Sequence, residues 1–216
     1  MDTEFANSNG VCGVNSYNFG RPLMQTVHYF WTYFRVAEMR GITDFRNFTL
    51  DIVLPTGAMG NIVAGYISKK CGLPLNMMNA AVNVNDITHR AFQSGEFHRA
   101  DEMKMTLSDA INIQVPYNFE RLLYYLTGER ADLMSSWYKV METTQKMDVP
   151  SEWMEKMRAE FNSARITDER MITSMKKIYE DSGGYVCCPH SSVAMAGAEE
   201  LGYFGEFKPS IAAVFA

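Results

Sequence analysis

No stretch of this sequence is apolar enough, for long enough, to predict a bilayer span. The longest apolar segment, Pro22 to Met39, is broken by Gln25, His28, Arg35 and Glu38. It therefore reads as a buried amphipathic helix. A basic stripe is missing as well. The 20 Lys and Arg are interspersed with 25 Asp and Glu, for a net charge of -5, which argues against a nucleic-acid partner. The first ten residues have neither the basic start nor the apolar core of a secretory signal, so the expected address is cytoplasmic. Cysteine is sparse. Cys12, Cys71, Cys187 and Cys188 have no metal-ligand spacing, and the adjacent pair is not easily bridged to itself, so all four are expected to be reduced core thiols. His89, His98 and His190 likewise lack metal spacing and are read as structural. No fixed-period repeat is present, which removes solenoids and propellers.

What is present is a chain of 216 residues, 47% apolar, long enough to bury a substantial core. Val11 to Asn15 suggests a short strand. Pro22 suits the first turn of a helix whose apolar positions are Val27, Phe30, Trp31, Phe34 and Val36. Leu50 to Leu54 is a short β-rich run, Pro55 to Gly60 a glycine loop, and Asn61 to Lys70 a helix closed by Gly72 and Pro74. Leu75 to Val82 is a second β run. Strand, helix and strand in that order predict a right-handed βαβ unit, and hence an α/β fold with a parallel sheet covered by helices.

Downstream, Asp86 opens a helix ended by Gly95, and Asn118 to Leu126 forms another stopped at Gly128. From Arg130 to Asp181 the spacing of Met, Glu and Lys predicts a helical excursion, with its last helix opening at Thr167. Gly183-Gly184 ends it, Tyr185 to Cys188 resembles a buried strand, and Ser191 caps a final helix. The organisation expected is thus an α/β region over 1–129, the excursion over 130–182, and a return to the core over 183–216.

The loop Pro55-Thr-Gly-Ala-Met-Gly-Asn61 carries the chemistry. Between a strand and a helix, such a loop leaves backbone N–H groups unpaired at the positive end of the helix dipole, where a phosphate fits. On pattern alone it is either an ordinary tight turn or an anion site, because it matches neither the dinucleotide fingerprint nor the Walker pattern. No acidic residue follows at the distance a ribose contact needs, which disfavours a nucleotide domain.

The ordered motifs resolve the choice. The loop, with Ala64-Gly65-Tyr66 and Gly72-Leu73-Pro74, resembles the PTGNFGN loop and AGxxAxxxGLP continuation of threonine synthases. Asn83-Val-Asn85-Asp86 with Arg90, Thr106-Leu-Ser-Asp-Ala110, Asn118-Phe-Glu-Arg121 and Pro189-His190-Ser191 resemble further motifs of that family, in order. Asn15, Ser16 and Asn18 are similar to its NSxN segment. The resemblance extends over about 180 residues, is nearest to the threonine-synthase-like 2 branch, and implies the C-terminal part of a fold type II pyridoxal-phosphate (PLP) enzyme.

The resemblance also assigns roles. Gly57, Ala58, Met59, Gly60 and Asn61 would bind the cofactor phosphate through backbone amides. Ser191 would take the place of a family threonine at the pyridine nitrogen, although position alone makes it equally a helix cap. Asn85, Asp86 and Arg90 are candidates near a small phosphorylated amino-acid substrate. Two departures stand out: Ala58 occupies a family asparagine position, and Asn112 a family aspartate position.

The family's Schiff-base lysine lies in an N-terminal FKD-like segment, and none of the nine lysines here has that context. The expectation is therefore a lyase of O-phosphohomoserine or O-phosphothreonine represented by its cofactor-phosphate half, inactive alone. The alternative is a noncatalytic truncated form acting as a binding or secreted signalling module.

Overall fold

The computed structural model describes residues 3–11, 15–204 and 211–214. Its centre is a sheet in which β1 (Leu50–Pro55) lies between β2 (Leu75–Val82) and an edge strand at Ile211–Val214. A further strand, Phe161–Arg165, borders β2 on the other side, and every pairing is parallel. β1 is buried along its length because helices cover both faces, which is why it is apolar on both rather than alternating, save for Asp51, whose buried carboxylate accepts from Asn76 Nδ2 and the Met77 N–H. Leu50, Ile52 and Leu54 point into the larger core and Val53 into a smaller core on the opposite face.

Nine helices occur among the described residues: α1 (Thr3–Asn9), α2 (Gly20–Met39), α3 (Gly60–Lys70), α4 (Ile87–Ser94), α5 (Phe119–Leu126), α6 (Ala131–Thr144), α7 (Ser151–Glu160), α8 (Asp168–Asp181) and α9 (Pro189–Glu200). α2 packs on α3, and α9 lies across β1 and β2. The close approach of α9 depends on Gly197, where an added Cβ would sit 2.7 Å from that of Ala81. A hairpin of β3 (Glu96–His98) and β4 (Lys146–Asp148) stands outside the main sheet, whose edge strands are numbered β5 (161–165) and β6 (211–214). No described helix is long and apolar enough to cross a membrane.

Several sequence expectations change. α2 begins at Gly20, and its buried face is Tyr29, Tyr33 and Ala37, whereas Val27, Trp31 and Phe34 are exposed. The helix is apolar around most of its circumference, so its pattern does not choose a face. Packing on Gly65 chooses the one with the tyrosines: an added Cβ there would lie 2.5 Å from the Tyr29 ring. The segment 130–182 is not purely helical, because it delivers β4 and the sheet strand β5. Tyr185 to Cys188 forms no strand; Tyr185 and Val186 are exposed and have no β partner. Only Cys187 is a buried thiol, Cys71 and Cys188 being exposed, while Cys12 lies outside the described residues. Most of the strand expected at Val11–Asn15 also falls outside them.

Candidate functional site

The chain leaves β1 at Pro55 and is held to the end of β2 by the Thr56 N–H, which donates to the Ala81 carbonyl at 2.8 Å. It then turns through Met59, whose φ of 64° is left-handed, and enters α3 at Gly60. That backbone costs a non-glycine residue roughly 1–2 kcal/mol. Burial of the Met59 side chain, 2% exposed, offsets it by about 1.5–3 kcal/mol. The six N–H groups from Gly57 to Ile62 donate to no acceptor among the described residues. They head α3, so its dipole adds a positive potential to six unpaired donors.

The loop is fixed from behind by side chains. Asn118, fully buried, donates from its backbone N–H (3.3 Å) and its Nδ2 (2.7 Å) to the Ala58 carbonyl, and from Nδ2 to Ser16 Oγ at 2.8 Å. Arg121 in turn donates to Asn118 Oδ1 and to the Ser16 and Tyr17 carbonyls. Ser16 Oγ donates to the Tyr117 hydroxyl at 3.1 Å. Two glycines are required by contact: a Cβ at Gly60 would come 2.4 Å from Ser16 Cβ, and one at Gly57 2.9 Å from Ile111 Cα. In front of the loop is a cavity of about 360 Å³, walled also by Arg21, Gln25, Ala110, Ile113 and Tyr117. Its free donors, helix pole and guanidinium suit a doubly charged oxyanion such as a phosphate monoester.

Ser191 stands at the same edge of the sheet but not in that cavity. It is the third residue of α9, and the cap is Cys188, whose Sγ accepts the Ser191 N–H at 3.4 Å. The serine hydroxyl is thereby released from capping and lies 3.3 Å from the thiol. That hydroxyl and N–H hold the Cys188 thiol below its ordinary pKa. The pole of α9 is tied to the loop cavity through His190, whose Nε2 accepts the Ala110 N–H at 3.1 Å.

Asn85, Asp86 and Arg90 line a smaller cavity, about 120 Å³, which adjoins the first at Ile113. Their polar atoms are engaged with neighbouring groups. Asn85 donates to Asn83 Oδ1, Asn112 Oδ1 and the Lys104 carbonyl, and accepts the Lys104 N–H at 2.8 Å. Asp86 pairs with Arg90 and Arg165, each at 3.0 Å, and Arg90 also donates to the His98 carbonyl. Asn112 Oδ1 accepts from Asn83, Asn85 and Thr106, so at this position the side chain organises a buried polar knot. The neighbouring His89 is pushed below its ordinary pKa by burial, and its Nδ1 bonds Ser163 Oγ at 2.9 Å.

Sequence reasoning did not assign Arg21, Gln25 or Tyr117 to the site; no single-sequence signal places them there. Asn118 was visible as a polar residue opening a helix, yet its grip on Ala58 depends on tertiary packing. Among the described residues no group of three or more His, Cys, Asp or Glu converges as a metal site.

No family model matches the chain. It is 37% identical over 194 residues to threonine synthase-like 2 of Homo sapiens, which covers 90% of this chain and 39% of that protein. It is 34% identical over 212 residues to threonine synthase of Saccharomyces cerevisiae, covering 93% of this chain and 40% of that one. Among solved structures, yeast threonine synthase superposes with a TM-score of 0.80 at 34% identity, over 87% of this chain and 38% of that chain. PLP-bound threonine synthase from Brucella melitensis gives 0.83 at 28% identity, over 100% and 44%. The chain thus spans about two fifths of the length of the curated relatives it matches.

Proposed function

We propose that this chain, related in sequence and fold to part of the threonine synthases, is the portion of a PLP-dependent lyase that holds the cofactor's phosphate. The observation that carries the reading is the set of six unpaired N–H groups, Gly57 to Ile62, heading α3. Gly57, Ala58, Met59, Gly60 and Asn61 bind the phosphate through their amides, Asn118 and Ser16 hold the loop rigid, and Arg21 adds a charge at the cavity wall. Ser191, free of the capping role, would offer its hydroxyl to the pyridine nitrogen of the bound cofactor. When bound, pyridoxal phosphate supplies an electron-withdrawing ring that stabilises negative charge beside the substrate's amino group.

The substrate in this reading is a small phosphorylated amino acid, O-phosphohomoserine or O-phosphothreonine. Asn85, Asp86 and Arg90 shape the adjoining cavity chiefly by holding one another in place. No lysine among the described residues lines the loop cavity, which supports a further part of the reading: the chain alone binds the cofactor without turning over substrate, since the family's lysine both anchors the cofactor and moves protons. The alternative of a signalling module finds no support among these relatives.

The test is a spectroscopic titration of the chain with pyridoxal phosphate, wild type against Gly60→Asp. The variant crowds Ser16 and sets a negative charge at the head of α3. Saturable wild-type binding weakened at least about tenfold in the variant, the loss of about 1.4 kcal/mol, supports the proposal. Equal affinities refute it.

A further inference from the structure

His190 lies between two parts of the site and is used by neither. It is the second residue of α9, directly before Ser191, and its Nε2 accepts the N–H of Ala110 at 3.1 Å. Accepting requires a neutral ring with its proton on Nδ1. The Asp109 carboxylate is 3.6 Å from the same Nε2, too far for a hydrogen bond, and is largely solvated. Geometry therefore favours the backbone donor as the partner. Ala110 itself walls the loop cavity, and the next residue, Ile111, is the one Gly57 touches: its Cα would be 2.9 Å from a Cβ placed there. The turn carrying both is closed by Ile111 N–H to the Ser108 carbonyl and Asn112 N–H to the Asp109 carbonyl. A single imidazole thus joins the head of α9 to the turn that backs the head of α3.

We infer that His190 is a positioning residue that sets the spacing between the phosphate loop and Ser191, and so favours ligands that reach both over ligands that fill the loop alone. The inference rests on the proposed cofactor reading, because only a phosphate carried on a heteroaromatic ring needs both poles at once. Inorganic phosphate needs the loop only. Loss of the Ala110 bond lets the head of α9 drift relative to the turn, while the six loop amides, fixed by Asn118 and Ser16, stay where they are.

The experiment compares wild type, His190→Phe and His190→Gln by two measurements: amide exchange at Ala110 without ligand, and dissociation constants for inorganic phosphate and for pyridoxal phosphate. Phe keeps the ring volume without an acceptor, and Gln reaches the same point with an amide oxygen. The expected result is faster Ala110 exchange in Phe, with pyridoxal phosphate bound about fivefold to tenfold more weakly, as one lost hydrogen bond gives, and inorganic phosphate bound within about twofold of wild type. Gln is expected to restore both. Unchanged phosphate binding also establishes that the Phe variant is folded. Phe binding pyridoxal phosphate as tightly as wild type, or losing phosphate affinity to the same extent, overturns the inference. Wild type binding inorganic phosphate but not pyridoxal phosphate refutes the cofactor reading itself and the selectivity with it. Ala110 protection reports the imidazole bond independently of either ligand.

Discussion

Replacing Gly65 with alanine sets two effects against each other, and the structure decides which wins. Gly65 lies inside α3, where alanine gains about 1 kcal/mol in helix propensity. It also lies under Tyr29, and the new Cβ would stand 2.5 Å from Cε1, 2.7 Å from Cζ and 2.9 Å from the hydroxyl oxygen of that ring. The ring is fully buried and its hydroxyl donates to the Asn61 carbonyl at 2.7 Å, so it has no free direction of escape. Overpacking of this kind costs typically 1–3 kcal/mol, and loss of the Tyr29 hydrogen bond adds about 1 kcal/mol. After the propensity gain, the expected net loss is about 1–3 kcal/mol. Urea unfolding of Gly65→Ala, Tyr29→Leu and the double variant measures it. In the Tyr29→Leu background the clash is relieved, so the cycle is expected to give a coupling of at least about 1 kcal/mol. A Gly65→Ala protein as stable as wild type, or an additive cycle, would refute this account of how α2 seats on α3. The consequence reaches the site, because α2 also carries Arg21 and Gln25 of the cavity wall.

Asn118→Ala strips the Nδ2 donor from the Ala58 carbonyl and from Ser16, and is expected to cost about 1–3 kcal/mol in urea unfolding and to weaken pyridoxal phosphate binding, with an unchanged affinity counting against the clamp. His89 has a lowered folded-state pKa, so the unfolded chain takes up the proton first; stability is full above the ordinary value of 6.5 and is lost as pH falls below it. A plot of unfolding midpoint against pH should therefore slope downward below about 6.5 in wild type and flatten in His89→Gln. Cys188, with a thiol pKa lowered by Ser191, is expected to react with iodoacetamide near neutral pH while buried Cys187 does not, and Ser191→Ala should slow the Cys188 reaction, as read by peptide mass mapping.

The part of the fold nearest the proposed chemistry was the most legible. Leu50 to Leu54 is apolar apart from Asp51, then Pro55 and two glycines interrupt it, then a helical spacing starts; strand, turn and helix follow within a residue of where that pattern changes. β5 was illegible because Phe161-Asn-Ser-Ala-Arg165 is short and half polar, and only its pairing with β2 makes it a strand. Tyr185 to Cys188 shows the converse, a β-like composition with no neighbour to pair with. α2 hid its buried face because aromatics surround it, and the choice was made by a glycine on another helix. At α9 the rule favouring serine as a cap misled, since Cys188 caps and leaves the Ser191 hydroxyl to other uses. The loop itself was found from sequence, whereas its clamps Ser16 and Asn118, 102 residues apart, meet only in the folded chain.

The most direct measurement is an amide-resolved NMR titration of the chain with pyridoxal phosphate. Saturable shifts of the Gly57 to Ile62 amides, with one shared dissociation constant and matching protection from exchange, are the result this account predicts. Saturable binding that leaves those six amides unmoved would contradict it.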